Sequence, residues 1–333
     1  MLAINQADIA KILDWGEAVQ TIEAAFAALS TGHANVPLRG GLPVPAYDGL
    51  LLTMPGLISS ANGQPDEAGL AVKMVSVFGR NPARQLPLIQ GLVVLFEPDT
   101  GRPLALFDGG TLTAIRTGAA GGVATKHLAH ADASIVALFG AGVQGETQLL
   151  AVAAVRPIRQ VRVWSRNQQK AELFCQKMQA ALKIPVTRAA SEGEALAHAD
   201  IVITATTSFT PVFEDADIAD GVHINGVGSY THAMREVPGE TVARATVVVD
   251  AKEGAMAEAG DILIPMSEGK FNASHIYAEI GEICAGLKRG RTGLSHDAIT
   301  FFKSVGNAVQ DVAMARYLYS KARAAGLGQT VAL

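Results

Sequence analysis

Three cations in this chain stand among apolar residues. Lys73 lies in GLAVKMVSVF, where strand alternation puts it on one face with Ala71, Val75 and Val77. Arg116, in TLTAIRTGAAGGV, has Leu112, Ala119, Ala120 and Val123 at helical neighbour spacing. Arg39 sits in the loop VPLRGGLP, where a backbone held by proline and glycine can aim it inward. For any one of them, a solvated cation or a structural ion pair explains as much as a function does. Together they look like an anion site. An arginine can grip a carboxylate bidentately, while a lysine whose pKa is lowered by burial and like charges exchanges a proton. Such a set suits an amino or imino acid reacting beside a nicotinamide, without choosing among substrates.

A second pattern says where a nicotinamide would come from. The stretch ALFGAGVQGETQLLA, residues 137–151, is an apolar run that breaks into Gly140, Gly142 and Gly145 and then into a helix. GxGxxG is weak evidence alone, but at the end of a first parallel strand it is a dinucleotide fingerprint. Gly140 makes the tight turn, Gly142 keeps side chains away from a pyrophosphate, and Gly145 lets helix and sheet close up. The anion then faces the amides and dipole of a helix N-terminus. About twenty residues further on, an acidic residue would hold a ribose diol. This chain instead has Ser165, Arg166 and Asn167 in VWSRNQQK. A cation with two hydrogen-bonding neighbours suits a 2'-phosphate, so NADP(H) is expected to be preferred, with NAD(H) possible.

The elements that must position these residues follow from periodicity. In DWGEAVQTIEAAFAALSTGH, Val19, Ile22, Phe26 and Leu29 recur at helical intervals. LLLTMPGL, GLAVKMVSVFG and LPLIQGLVVLFEPDTGRPLALFDGG read as strands, with EPDTGRP as a hairpin turn. From Ser134, apolar runs alternate with helices, the mark of βαβ units and a parallel sheet. The expected fold class is α/β: a doubly wound Rossmann domain over 116–303, plus an α+β substrate-binding and dimerisation domain made of 1–115 with 304–333.

Composition bounds the partners. Of 333 residues 49% are hydrophobic, ample for two cores, and the net charge of -4 gives no basic track for nucleic acid or anionic membrane. No apolar run is long enough to span a bilayer, and the N-terminus lacks the form of a secretory signal, so a cytoplasmic location is expected. Cys175 and Cys284 sit in no CxxC pair and read as buried thiols, and the eight histidines have no ligand spacing, so no metal is expected.

The segments VPLR, LLTMPG, GLAVKMVSVF, DTGRPLALFDGGTLTAIRTGAAGGVATKHLA, ALFGAGVQGETQ, VRVWSRN, HINGVGSYTHAMRE and SVGNAVQD together resemble the ornithine cyclodeaminase and mu-crystallin family over nearly the whole chain. The resemblance implies a homodimer built on the N-terminal domain, and a substrate pocket whose arginine, lysine and arginine match Arg39, Lys73 and Arg116. It also places Thr117, Gly118, Val143, Gln144, Thr206 and Val227 near the dinucleotide. One departure is informative. Cyclodeaminases carry an aspartate in a GGD or GAD stretch where this chain, counted back from Glu236, has Tyr230. A phenol cannot pair with a distal ammonium as a carboxylate would. The resemblance therefore implies reduction of cyclic ketimines, with Tyr230 closing the pocket over the ring. The alternatives are ornithine cyclodeamination, alanine or N-alkyl-amino-acid dehydrogenation, and a non-enzymatic nucleotide-binding role of the crystallin kind.

Overall fold

The computed structural model describes residues 1–59 and 68–332. Its strands are β1 (Leu2–Ile4), β2 (Ala34–Asn35), β3 (Gly40–Val44), β4 (Gly49–Ile58), β5 (Gly69–Phe78), β6 (Ile89–Phe96), β7 (Pro103–Asp108), β8 (Ile135–Phe139), β9 (Gln160–Trp164), β10 (Val186–Arg188), β11 (Ile201–Thr204), β12 (His223–Gly226), β13 (Thr246–Val249), β14 (Ile276–Glu279), β15 (Thr300–Lys303) and β16 (Gln329–Thr330). They form two sheets in two compact units, one of Met1–Arg116 with Asn307–Leu333 and one of Thr117–Gly306.

In the first unit the sheet runs β16-β1-β7-β6-β5-β4-β2, with β3 on β4, and is antiparallel apart from the β1–β7 pair. Pairing of Lys73 with Met54 and Val93 puts those three on one face, and all are buried. Against the sheet packs the helix Ala308–Ala324. Its approach is close because β4 and β5 offer glycines there. A Cβ on Gly56 would lie 2.9 Å from Val312, and one on Gly69 would lie 2.7 Å from it. The helix Trp15–Ser30 starts at Asp14, whose carboxylate accepts from the Glu17 amide at 2.8 Å. It buries Val19, Ile22 and Phe26, each worth roughly 1.5–3 kcal/mol by area removed from water.

The second unit is a wholly parallel sheet in the order β10-β9-β8-β11-β12-β15-β13-β14. Both of its faces are covered, which is why its strands read as unbroken apolar runs. Ala137 and Phe139 of β8 join one core, while Val136 and Leu138 join the other. Strand order reverses at β8, between β9 and β11, and the crevice beyond their carboxyl ends is where such sheets bind ligands.

Candidate active site

In the first unit, Lys73, Arg116 and Asp311 form a buried charged cluster; each is at most 6% exposed. Lys73 Nζ lies 2.8 Å from Asp311 Oδ2, and Arg116 Nε lies 3.2 Å from Asp311 Oδ1. Arg116 Nη1 donates to Gln310 Oε1 at 2.5 Å. The positions follow from the elements. Lys73 comes from the centre of β5, Arg116 from the helix Gly109–Leu128, and Gln310 with Asp311 from the opening of the helix Ala308–Ala324, which Asn307 caps. The positive end of that helix favours a carboxylate at Asp311.

Burial lowers the Lys73 pKa from the ordinary lysine value to about 8; Asp311 pulls it upward, while Arg116 and the half-buried Arg39 push it down. The three cations named from sequence therefore act on one another. The two residues that sequence reasoning passed over are Gln310 and Asp311. Both lie in the quoted SVGNAVQD, and the signal was two polar residues in a helix opening otherwise made of Ala308, Val309, Val312, Ala313, Met314 and Ala315, all of them buried.

Arg116 Nε and the two Asp311 oxygens are held by ion pairing and not by well-directed hydrogen bonds, and Gln310 Nε2 is buried without a partner among the described residues. Buried donors without acceptors are costly. Two cations against one carboxylate leave one positive charge over, which suits one more carboxylate.

The second unit carries the glycine turn. Gly140 has φ +109°, and a Cβ there would lie 2.4 Å from the Ala205 carbonyl. A Cβ on Gly145 would lie 2.3 Å from the Gly140 carbonyl, so helix and strand are in contact there. At Gly142, by contrast, nothing stands within 4 Å of a Cβ. It precedes the helix Val143–Ala153, with Val143 exposed and Gln144 Oε1 buried without a partner among the described residues. An open glycine backed by helix amides and an orphaned amide oxygen fits a dinucleotide. Thr117 lies beside the same helix, its carbonyl accepting from Gln148 Nε2 at 2.6 Å. Past β9, Ser165 is half-buried and Arg166 exposed. Asn167 caps the helix Gln168–Leu182, its Oδ1 accepting from the Lys170 amide at 2.9 Å. The donor a phosphate would need is its amide nitrogen, which that bond does not use.

Thr206 and Val227 lie past β11 and β12, and Glu236, a residue the sequence offered only as a landmark, ties Thr206 to Gly228 and Ser229, which follow Val227. Its carboxylate accepts from Thr206 N and Oγ1 at 2.6 and 2.7 Å, Thr204 Oγ1 at 3.1 Å, Gly228 N at 2.8 Å and Ser229 N at 3.0 Å. Behind it, Asp261 accepts from the Glu236 and Val237 amides and from Ser229 Oγ, and pairs with Lys303 Nζ at 2.9 Å. Burial and the neighbouring Asp261 raise the Glu236 pKa; burial would raise Asp261 too, but Lys303 and the donors around it hold it low. Tyr230, on the same loop, is 36% exposed.

His223, one of the eight histidines, is fully buried between Thr300 and Asn225, and burial pushes its pKa down to about 3. Cys175 is buried and Cys284 only half-buried, so the second thiol departs from the expected burial.

The model of the ornithine cyclodeaminase/mu-crystallin family matches residues 2–326. A Δ1-pyrroline-2-carboxylate reductase of Bacillus cereus is 40% identical over 332 residues, covering 99% of each chain. Among solved structures, the Δ1-pyrroline-2-carboxylate reductase of Thermococcus litoralis in complex with NADH and L-proline is 42% identical, with TM-score 0.92 over 99% of this chain and 100% of that one. An archaeal alanine dehydrogenase dimer with bound NAD is 32% identical, with TM-score 0.90 over 100% and 99%.

Proposed function

The chain belongs to the ornithine cyclodeaminase/mu-crystallin family, and on that premise we propose that it reduces cyclic ketimines with a reduced nicotinamide dinucleotide. Δ1-pyrroline-2-carboxylate gives L-proline, and Δ1-piperideine-2-carboxylate gives L-pipecolate. The observation that carries this reading is the buried cluster, in which two cations, Lys73 and Arg116, face the lone carboxylate of Asp311 and leave one positive charge over. Arg116, with Arg39, holds the ring carboxylate, and its planar fork orients the ring. Lys73 holds the proton that the imine nitrogen takes up. Tyr230 closes over the ring. The dinucleotide, when bound, supplies the hydride, and Gly140, Gly142, Val143, Gln144, Gly145, Thr117, Thr206 and Val227 hold it. Ser165 and Arg166 receive the adenosine end, and the exposed guanidinium of Arg166 favours the 2'-phosphate of NADP(H) over the diol of NAD(H).

The experiment is oxidation of NADPH and NADH, followed by absorbance, on both imino acids, with Arg166→Ala beside the unaltered chain. Rapid oxidation is expected, faster with NADPH, with L-proline and L-pipecolate as the respective products. Arg166→Ala should raise KM for NADPH by about tenfold, one charge-assisted contact being worth ~1.5–3 kcal/mol, and leave KM for NADH alone. Absence of turnover on either imine sinks the reading, and equal response of the two dinucleotides to Arg166→Ala sinks the phosphate assignment.

The molecule works as a homodimer in this reading. Leu42, Leu51 and Leu92 are exposed on the sheet face turned away from Lys73, as their pairing across β3, β4, β5 and β6 requires. Exposed leucines on one sheet face are a natural contact for a second copy. Sedimentation at micromolar concentration should give twice the chain mass, and a monomer there overturns it.

A further inference from the structure

Two cations and an anion buried together raise a question of proton ownership. Lys73 is enclosed and faces the guanidinium groups of Arg116 and Arg39, and each of these circumstances favours the free amine. A free amine has no proton to give. Asp311 is the carboxylate that works against them, with Oδ2 2.8 Å from Nζ. It cannot draw away, because its helix is seated on the glycines of β4 and β5, with Val312 filling the space above Gly56 and Gly69.

We propose that Asp311 is a positioning residue that keeps Lys73 in its ammonium form, so that the lysine can protonate the imine nitrogen as hydride reaches C2. This inference rests on the ketimine reading above. In that step a C–H bond forms at C2 and the C=N π pair moves to nitrogen. Nitrogen then takes a proton from Nζ, the imine is reduced and the dinucleotide oxidised. Lysine is left as the amine and regains its proton from water. Asp311 touches Lys73 and Arg116 and needs no contact with substrate. Its second oxygen, 3.2 Å from Arg116 Nε, orients the guanidinium as well.

The sign of the pH dependence follows. With Asp311 present, burial and the two guanidinium groups bring Lys73 down to about 8, so kcat/KM should fall as pH rises through that region. Replacing the carboxylate by an amide removes the one influence that raises the value, and the basic limb should move acidward by about 1–3 pH units, the usual effect of one close opposite charge.

The test is the pH profile of kcat/KM on Δ1-pyrroline-2-carboxylate for the unaltered chain, Asp311→Asn and Asp311→Glu. The imine's own titration is common to all three, so only differences between profiles count. An acidward limb in Asp311→Asn, with activity recovering at low pH, and a limb near the original in Asp311→Glu support the proposal. A uniform loss of activity with an unmoved limb overturns it. Should Asp311→Asn fail to fold, Asp311→Ser serves, since it too removes the charge beside Lys73; an acidward limb supports the proposal, and a limb that persists at the same pH overturns it. Failure of the unaltered chain to reduce the imine refutes the ketimine reading instead, which keeps the two apart.

Discussion

Each unit of this molecule buries a lysine against an aspartate, and the two pairs are built to opposite ends. Lys303 is enclosed, but its ammonium donates to Ser229 O at 2.6 Å and Oγ at 2.7 Å besides pairing with Asp261. Asp261 in turn accepts from two amides and a hydroxyl, and Glu236 beside it accepts five donors. Lys73 is as deeply buried, yet around it Arg116 Nε and both Asp311 oxygens lack well-directed hydrogen bonds, Gln310 Nε2 has no acceptor among the described residues, and two cations share a single carboxylate. A satisfied buried network specifies a structure, while an unsatisfied one with surplus charge stores the demand for a ligand. Burial of a charge thus says little until its remaining hydrogen bonds have been counted.

The largest effect that would break this contrast is a loss of activity without a loss of fold. Lys73→Met removes the surplus cation and leaves Asp311 paired with Arg116, a one-to-one balance in the same volume. Folding stability should hold or rise, since the lysine is buried beside like charge. kcat/KM for the imine should fall by about 10²–10⁴, the usual worth of a placed proton donor. Thermal melting and steady-state rates on one preparation check both halves. A melting temperature that drops along with the rate would place Lys73 among the supports of the fold and erase the difference between the units.

What could be read without coordinates divides along the same line. The fingerprint glycines were legible because backbone geometry restricts Gly140 and Gly145 so strongly that few other residues fit, and because the alternating apolar runs around them admit one kind of sheet. Lys73 and Arg116 were legible as charges out of place in apolar periodicities. Asp311 was not, although it completes the site: a carboxylate in the first turn of a helix has an ordinary local explanation, and its real partners lie 238 and 195 positions away, at 73 and 116. Glu236, Asp261 and Lys303 escaped for the same reason, each being one charge in a different segment whose meaning appears when the parallel strands bring them together. Asn167 carries a local task that its type did not reveal: its oxygen caps a helix, while the amide nitrogen that would suit a phosphate is not used by that bond.

The sharper half of the contrast is the quieter lysine. Lys303→Met should leave Asp261 with its hydrogen-bond donors but without its counter-charge, and the carbonyl and hydroxyl of Ser229 without their donor. Breaking a buried pair by removing one partner costs about 3–5 kcal/mol, because the remaining charge is stranded. The loss should appear as a lower midpoint in urea with an unchanged slope, since the same surface is exposed on unfolding. Where the variant is still folded, turnover should be affected less than stability, and chiefly through KM for the dinucleotide, because the loop that carries Ser229 and Val227 is the one this network holds. A Lys303→Met chain as stable as its parent would mean that a fully bonded buried pair contributes no more than apolar packing of the same volume. The number of satisfied hydrogen bonds would then cease to distinguish a support from a site.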